Sequence, residues 1–484
     1  MTVTMTDLFC GAGGSGLGAA AAGVELTMAA NHSPRAIETH QANFPEVAHD
    51  CADLSQVQPR RYRPSTLLWA SPECTNHSQA QGRRRDAQPA LFGDVPDPVG
   101  DRSRATMWDV PRFAEVHRYE AIVVENVVEA TRWAPFRAWL AAMDALGYQH
   151  RIVSLNSMHA PARQAPRAPQ SRDRMYVVFW RAGNTPPDLD IRPGAWCSTC
   201  ESTVAAVQSW RGTARVGRYR QQYDYRCPHQ ACRHQVVEPH TLPAAAAIDW
   251  TVPGQRIGDR AKPLAANTLA RIEAGLARYA GPQVVPSGGT WNEDPHPVTQ
   301  PVRARTTRET DALVVPSYGA AETAHPASTP YGTLTTHDRY GIAFVAELRG
   351  GGSTARHVAS PLSTVTASGT HHMLVRNNTS KTTDAEMCTP LGEPARTVTT
   401  SGNQSLISWP HQTPAVEDCT FRMLTVPEIQ AAMAFTPEYR LTGTKREQVA
   451  QLGNGVTPPA AEWLLTAVVD SLEGTHPPAH AAAA

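Results

Sequence analysis

Short apolar runs alternate with longer, helix-like stretches over the first 180 residues of the chain. Runs rich in β-branched and aromatic residues predict buried strands. Six such runs are present: Val3–Leu8, Val24–Ala30, Leu67–Ala70, Ala121–Glu125, His150–Leu155 and Met175–Trp180. The alanine-rich segment Leu17–Ala22 follows a glycine run and predicts a helix after the first strand. Because strands alternate with helices, we expect a doubly wound, mostly parallel α/β sheet over residues 1–182.

A second pattern, with a period near 30 residues, occupies residues 256–408. Four proline-led strings begin at Pro301, Pro330, Pro361 and Pro394, and each has a threonine five residues after the proline. A short apolar run follows each string; the runs are Ala312–Val315, Ile342–Val345, Met373–Val375 and Leu406–Ser408. Self-similarity at a near-fixed period predicts an arrayed β unit. A disordered Thr/Pro-rich linker is the alternative, and the apolar runs disfavour it because they require burial.

The helical period returns near the end of the chain, in RMLTVPEIQAAMAF from Arg422 and in GNGVTPPAAEWLLTAVVDSL from Gly453. We expect residues 419–474 to form helices that complete the first domain, with the last, amphipathic helix packed on it. Residues 475–484 end in four alanines and predict a disordered tail.

Composition narrows the class of protein. A chain of 484 residues suits two or three domains, and no apolar run is long enough to cross a membrane. The 44 basic and 44 acidic residues balance. That balance argues against a protein that coats nucleic acid without sequence preference, but permits an enzyme with one basic face. The first predicted strand leaves no room for a signal peptide. Nine cysteines without an evenly spaced framework favour a reducing cytoplasm.

Four of the cysteines form two close pairs within residues 195–240. Cys197 and Cys200 are separated from Cys227 and Cys232 by 26 residues. This spacing is typical of a zinc ribbon, in which four thiolates hold one structural zinc; free or disulfide-bonded cysteines are the alternative. The segment between the pairs mixes arginine with tyrosine, which is typical of a hairpin that faces nucleic acid.

Further strings combine residue types that carry chemistry. They are DLFCGAGG (7–14), SPEC (71–74), ENV (125–127), QSRDR (170–174) and GNGV (453–456). A glycine-rich turn after a first strand lets the backbone approach a nucleotide-type cofactor. Cys74 stands in a polar loop followed by three arginines, which favour a thiolate. Glu125 ends a strand at the sheet edge where doubly wound proteins bind ligands. Taken singly, Cys74 could also be a buried structural cysteine, and Glu125 could be an ordinary carboxylate at a strand end.

In this order the strings resemble the DNA (cytosine-5)-methyltransferase family, over residues 1–180 and 419–474. The resemblance implies a class I methyltransferase fold that uses S-adenosylmethionine. It places Phe9 near the adenine and Asp53 at the adenine amino group. The full set of implied cofactor-binding residues is Phe9, Gly11, Gly13, Gly14, Asp53, Asn454 and Val456.

The resemblance also implies the chemistry. Cys74 attacks carbon 6 of a flipped cytosine, Glu125 holds N3 of the ring, and Arg172 and Arg174 bind the base and the phosphates. It implies double-stranded DNA as the substrate, with target recognition in the middle of the chain. We expect a monomer in the cytoplasm, associated with the nucleoid. A role in restriction–modification or in phage or host self-marking, beside a cognate restriction enzyme, would suit this activity.

The sequence departs from the family pattern at two places. Glu73 precedes Cys74 where the family has proline, and Asn31 and His32 stand where it has an acidic and an apolar residue. A carboxylate beside the thiol raises its pKa unless a cation compensates, and we expect the following arginines to do so. Two alternatives stay open: a nucleic-acid-binding homologue that has lost activity, and an RNA cytosine methyltransferase.

Overall fold

The computed structural model describes residues 2–73, 106–249, 251–264 and 415–475, with short strands and isolated helical positions between 266 and 407. Cys74, the arginines Arg83–Arg85, the run Ile342–Val345 and the tail from residue 476 lie outside the described residues.

A seven-stranded sheet forms the centre of the fold. The first eight strands are β1 (Thr4–Leu8), β2 (Glu25–Asn31), β3 (Ala48–Cys51), β4 (Leu67–Ala70), β5 (Ala121–Asn126), β6 (Tyr148–Asn156), β7 (Gln170–Ser171) and β8 (Asp173–Arg181). All but β7 join the sheet, in the order β3-β2-β1-β4-β5-β8-β6. Strands β1 to β5 pair in parallel, whereas β8 runs antiparallel to both β5 and β6. The sheet is therefore mixed and mostly parallel, which confirms the predicted α/β sheet.

All six predicted strands are present, each with ends within two residues of the predicted ones. The remaining strand of the sheet, β3, was not predicted because its sequence, AHDC, contains no apolar run. It is an edge strand that pairs only with β2 in this sheet. Every residue of β4 is buried, which fits a central strand covered on both faces.

Helices cover both faces of the sheet. They are α1 (Gly14–Ala21), α2 (Pro34–Asn43), α3 (Asp109–His117), α4 (Phe136–Ala145), α5 (Val426–Ala432), α6 (Lys445–Asn454) and α7 (Pro458–Glu473). On one face α3 and α4 bury Phe113 and Trp139 against the sheet; on the other, α7 buries Leu464 and Leu465. No helix in the described ranges is long and apolar enough to cross a membrane.

The last helix is anchored to the first domain by polar contacts as well as by packing. The buried Glu462 carboxylate accepts hydrogen bonds from the backbone N–H groups of Arg163, Gln164 and Ala165, at 2.8, 2.8 and 2.6 Å. The Thr457 and Ser157 hydroxyls are 2.8 Å apart. These contacts join two segments of the chain that are about 300 residues apart in sequence.

The cysteine-bearing module consists of five short strands. They are β9 (Gly194–Cys197), β10 (Ser202–Ala205), β11 (Val207–Trp210), β12 (Tyr223–Arg226) and β13 (Val236–Val237). The first two form a hairpin, and the other three form a sheet in the order β11-β12-β13. Cys197 and Tyr225 belong to the same hydrophobic cluster as Val153 and Trp180 of the central sheet. The module thus packs directly on the sheet.

The prediction that the Arg/Tyr segment faces nucleic acid is wrong for its tyrosines. Tyr219, Tyr223 and Tyr225 are 8%, 0% and 0% exposed. They fill the interface between module and sheet because that interface needs large apolar rings, so they are unavailable to stack on bases.

The middle of the chain contributes further strands. They are β14 (Gln255–Arg256), β15 (Gln283–Pro286), β16 (His296–Pro297), β17 (Val302–Arg303), β18 (Asp311–Pro316), β19 (Met373–Arg376), β20 (Cys388–Pro390), β21 (Gln404–Ile407) and β22 (Cys419–Met423). Three of the four predicted apolar runs coincide with β18, β19 and β21. The expectation that residues 419–474 are helical throughout is wrong at its start. Cys419 and Phe421 alternate with more exposed residues in β22, which pairs with β18 and β14.

Candidate active site

The carboxyl ends of β4 and β5 bring two of the sequence strings together. The Asn126 amide donates to the Pro72 carbonyl at 3.3 Å, and its Oδ1 accepts from the Val127 N–H at 2.8 Å. Asn126 is 1% exposed, so these bonds are shielded from water. SPEC and ENV therefore begin at adjoining strand ends, with Pro72 two residues before Cys74. Sequence reasoning treated Asn126 only as part of a motif, and its amide proves to be the link.

An ion pair lies at the same edge of the sheet. Arg174 Nε is 2.9 Å from Glu125 Oε1, and the two side chains are only 13% and 10% exposed. Glu125 lies opposite Tyr176 on β8, and Arg174 is two residues from Tyr176 on the same strand. Side chains two residues apart on a strand share a face, which is why the pair forms. A carboxyl group held by a guanidinium in a partly dry site has its second oxygen oriented to accept one further hydrogen bond or, when protonated, to donate one.

Arg172 has a different environment. Its guanidinium is 2% exposed and donates to the carbonyls of Gly453 and Gly455 at 3.0 and 2.9 Å. Its backbone N–H donates to Asn156 Oδ1 at 2.9 Å. QSRDR and GNGV are thus joined through one buried arginine. The expected contact of Arg172 with base or phosphate stays a prediction. In the structure, its guanidinium contacts the segment 453–456, which carries Asn454 and Val456.

The glycine-rich turn after β1 has two separate steric requirements. Phe9, Gly11 and Gly13 all have positive φ, at 61°, 53° and 85°, a region that favours glycine. Gly14 has ordinary backbone angles, but a Cβ there would overlap the Val456 carbonyl. Gly14 is therefore required by the approach of GNGV, whereas Gly11 and Gly13 are required by their positive φ, and a Cβ at Gly13 would also overlap the Tyr439 hydroxyl.

The other predicted cofactor residues lie along the rim formed by β2 and the segment after β3. Asp53 Oδ1 accepts from the Ser55 N–H and hydroxyl at 3.1 and 2.7 Å. Asn31 Oδ1 accepts from the Ser33 N–H at 2.9 Å. A carboxylate, an amide and the nearly buried Phe9 ring provide acceptors and an apolar surface of the kinds that a nucleoside needs. The residues present therefore fit S-adenosylmethionine.

The two departures from the family pattern are in contact. His32 Nδ1 lies 3.5 Å from Glu73 Oε1, with side chains 57% and 37% exposed. Among the described residues, the side chain beside Glu73 is thus a histidine directly after β2. The expected arginines, Arg83–Arg85, are not described.

Asp7, in the first motif, makes the stability of the folded protein depend on pH. Its carboxyl is fully buried, receives the Ser15 hydroxyl at 2.5 Å, and has one oxygen without a hydrogen-bond partner among the described residues. Burial raises the pKa of Asp7 to about 7, with the bond from Ser15 acting in the opposite direction. A raised folded-state pKa means that the folded protein loses stability as pH rises from about 4 to 7.

We expect Asp7→Asn to remove this loss. The amide keeps an acceptor for Ser15 without a charge, so the variant should unfold like the wild type near pH 4. Its advantage should grow to about 4 kcal/mol at pH 8, because each pKa unit corresponds to about 1.4 kcal/mol. Denaturant unfolding at pH 4, 6 and 8 measures the difference. A gap between the two proteins that is constant with pH would contradict the assignment.

The four paired cysteines converge. All four Sγ atoms of Cys197, Cys200, Cys227 and Cys232 lie within 4.8 Å of one another, and Cys200 Sγ is 3.8 Å from Cys227 Sγ. Tetrahedral zinc with Zn–S bonds of about 2.3 Å requires sulfur–sulfur distances of about 3.8 Å. Gln235 Nε2 also donates to Cys197 Sγ at 3.2 Å, as an outer residue that stabilises a thiolate ligand would. The cluster therefore fits a zinc ion.

Comparison with known proteins agrees with the motifs. Residues 3–195 match the family described as C-5 cytosine-specific DNA methylase. The type II methyltransferase M.AgeI of Thalassovita gelatinovora is 28% identical over 184 residues, which are 35% of this chain and 38% of that protein. The chain thus aligns with less than two-fifths of that relative's length.

Solved structures similar to the chain are more distant in sequence. A DNMT2 mutant of Spodoptera frugiperda has 12% identity and a TM-score of 0.48, covering 98% of this chain and all of that one. An E. coli prophage structure described as a putative DNA modification methyltransferase has 15% identity and a TM-score of 0.40 at the same coverage. The sequence match is thus confined to residues 3–195, where the chain is similar to the C-5 cytosine-specific DNA methylase family.

Proposed function

We propose that this protein transfers a methyl group from S-adenosylmethionine to carbon 5 of a cytosine in double-stranded DNA. The observation that carries the proposal is the buried Glu125–Arg174 pair, 2.9 Å apart at the edge of the sheet where SPEC and ENV adjoin. A type II methyltransferase among the relatives supports DNA as the substrate. It also supports a role in restriction–modification or self-marking, with a cognate restriction enzyme.

Each proposed catalytic residue meets a chemical requirement of methyl transfer to the cytosine ring. Carbon 5 of cytosine is a poor nucleophile until a thiolate adds to carbon 6, and Cys74 is the thiol we assign to this addition. The electron pair of the 5,6 double bond moves toward N3 and O2, so a group at N3 stabilises the adduct. Glu125 supplies that group: Arg174 engages Oε1, and Oε2 is the atom we assign to carry the proton that is donated to N3 as the charge builds there.

Bound S-adenosylmethionine supplies an electrophilic methyl group on its sulfonium. Carbon 5 takes the methyl, loses its proton to a base, and Cys74 leaves as a thiolate when the double bond re-forms. Because the target carbon is inaccessible in a stacked duplex, the base must leave the helix. Arg174, 2.9 Å from Glu125, is placed to keep the Glu125 side chain fixed when the base arrives.

We propose in addition that Cys197, Cys200, Cys227 and Cys232 hold one structural zinc. The fit of the sulfur geometry supports this ion. A tetrahedral set of four thiolates leaves no open coordination position, so the metal would stabilise structure and take no part in methyl transfer.

A covalent trap tests the proposed reaction. We expect an oligonucleotide duplex with 5-fluorocytosine at the target to form a complex with the wild type that survives a denaturing gel, because fluorine cannot leave carbon 5. Cys74→Ser should trap nothing and should still bind S-adenosylmethionine. Bisulfite sequencing of DNA from cells that express the wild type identifies the target sequence.

Two results would contradict this proposal. Trapping by Cys74→Ser at the wild-type level would remove Cys74 from the reaction. Methylation confined to RNA, with unmodified DNA in the same cells, would favour an RNA cytosine methyltransferase.

A further inference from the structure

The cysteine-bearing module is joined to the central sheet through a stack of rings. His159, in the turn after β6, lies edge-on to Tyr219 and Tyr225 with ring centroids 4.5 and 5.0 Å apart. His159 is 1% exposed, and burial lowers its pKa to about 3, so the ring is neutral. Close-packed rings of this kind leave little freedom for the module to move on the sheet.

Two polar contacts lead from this module to the active site. Arg218 Nη2 donates to Glu129 Oε1 at 2.7 Å, and Glu129 lies in the 3₁₀ turn Val128–Arg132 that directly follows ENV. The Tyr219 N–H donates to Asp173 Oδ1 at 3.0 Å. Asp173 stands between Arg172 and Arg174. The segment between β11 and β12 therefore contacts QSRDR through Asp173 and the turn directly after ENV through Glu129.

Further bonds hold the same segment against β6. The Gly217 N–H donates to the Ser154 hydroxyl at 3.1 Å, and Gln208 Nε2 donates to the Ser154 carbonyl at 3.0 Å. Two anchors on Ser154, one on Asp173 and one on Glu129 place residues 208–219 across β6, β8 and the turn after β5. Residues 208–219, here called the brace, thus fix the backbone where these strands pass into loops.

The four-cysteine cluster lies next to the strand that follows this brace. Strand β12 runs from Tyr223 to Arg226 and is followed at once by Cys227, while β9 ends at Cys197. Apart from the rings that pack on the sheet, a β module of this size has little core of its own, so a bound metal would add to what holds its strands. Zinc bound by the four thiols would therefore fix β12, and β12 fixes the segment that carries Arg218 and Tyr219.

We propose that the metal-bound module positions the catalytic pair: Arg218 and Tyr219 hold Glu129 and Asp173, and through them the Glu125–Arg174 geometry. This inference rests on the proposed methyl transfer and on the proposed zinc. Arg218, Glu129 and Asp173 act as positioning residues. A module that served only target recognition would instead affect DNA affinity and leave the chemical step unchanged.

The test compares two arginines of the same module. Arg218→Ala should lower the single-turnover methylation rate at saturating DNA by about tenfold, within the range for residues that act through others. The Kd for S-adenosylmethionine and a zinc content near one per chain should not change. Arg218→Lys should recover part of the rate because it keeps a donor for Glu129. Arg211→Ala is the matched control, since Arg211 pairs with Asp224 inside the module, at 2.9 Å through both Nε and Nη2, and should stay within twofold of wild type.

A double-mutant cycle connects the metal to the brace. Cys227→Ser with Cys232→Ser should reduce zinc to near zero and slow the chemical step, and adding Arg218→Ala should cause little further loss because both changes release the same contact. Losses that multiply would show that the metal acts independently of Arg218 and would overturn the inference. A wild-type rate in Arg218→Ala, or a change only in the KM for DNA, would overturn it as well. Failure of the proposed function is distinct: the wild type itself would then transfer no methyl group to DNA.

Discussion

Glu125→Gln is expected to lower the single-turnover rate of cytosine methylation by about 10²–10³-fold, the usual loss when one preorganised group at a developing charge is removed. The amide keeps the size of the carboxylate and an acceptor for Arg174, so the side chain should remain in place. It lacks the acidic group that the N3 position requires as charge builds there. Rapid-quench measurement with labelled S-adenosylmethionine gives the rate, and calorimetry should show an unchanged Kd for the cofactor.

A matched control lies at the opposite end of the same strand. Glu120 immediately precedes β5 and pairs with Arg181 of β8 at 2.9 Å. Glu120→Gln therefore removes a carboxylate with an arginine partner on the same neighbouring strand, but far from the carboxyl edge of the sheet. It should leave the rate within twofold of wild type. Equal losses in the two variants would mean that the Glu125 effect is structural.

Gly18→Ala is expected to destabilise the folded domain by about 3 kcal/mol, at the upper end of the usual cost of overpacking. A Cβ at Gly18 would lie 2.7 Å from the Glu462 N and 2.8 Å from the Pro458 carbonyl oxygen, and closer still to the Ala461 Cβ. Alanine gains about 1 kcal/mol over glycine in a helix, but two of these neighbours are backbone atoms that cannot move aside. The steric term therefore outweighs the propensity term. Denaturant unfolding monitored by circular dichroism measures the change.

The control for this variant is Gly194→Ala. A Cβ at Gly194 would meet only side-chain atoms of His240 and Thr203, each at 3.7 Å, which is ordinary van der Waals contact. We expect no measurable loss of stability there. In the Gly18→Ala background, Ala461→Gly should recover part of the loss because it removes one of the three close atoms. If Gly18→Ala unfolds at the wild-type denaturant concentration, α1 and α7 do not cross as closely as described.

The inner strands of the central sheet, such as β4 and β5, were predictable because they are buried on both faces and contain continuous apolar runs. Leu67–Ala70 was predicted with the same bounds that the structure gives. Where a strand is short, polar and at an edge, as Ala48–Cys51 is, local sequence carries no such signal. β22 was missed for another reason: its partner β18 is about 100 residues away in sequence, and its five residues run directly into a helical pattern.

The candidate site was predictable in its membership and less so in its contacts. Motif strings identify Glu125 and Arg174, but nothing local indicates that Arg172 would be buried against Gly453 and Gly455. Tyrosines next to arginines suit a nucleic-acid surface and an interior interface equally well, and only the packing of Tyr223 against the sheet decides between them. The side-chain partner of Glu73 was likewise undetermined, because His32 comes from a different strand.

The crossing of α1 and α7 has a consequence for biosynthesis. Gly18 and Ala461 are separated by about 440 residues. The ribosome therefore completes α1 long before it makes α7, the helix that packs on it. At roughly 5–20 residues per second, that interval is about 20–90 s. Throughout it the apolar side of the sheet that α7 covers is exposed on the nascent chain, and the Gly14 turn lacks its GNGV neighbour. A ribosome-bound chain that ends before residue 458 should therefore be a chaperone substrate, whereas a chain long enough to present α7 outside the ribosome should close the fold.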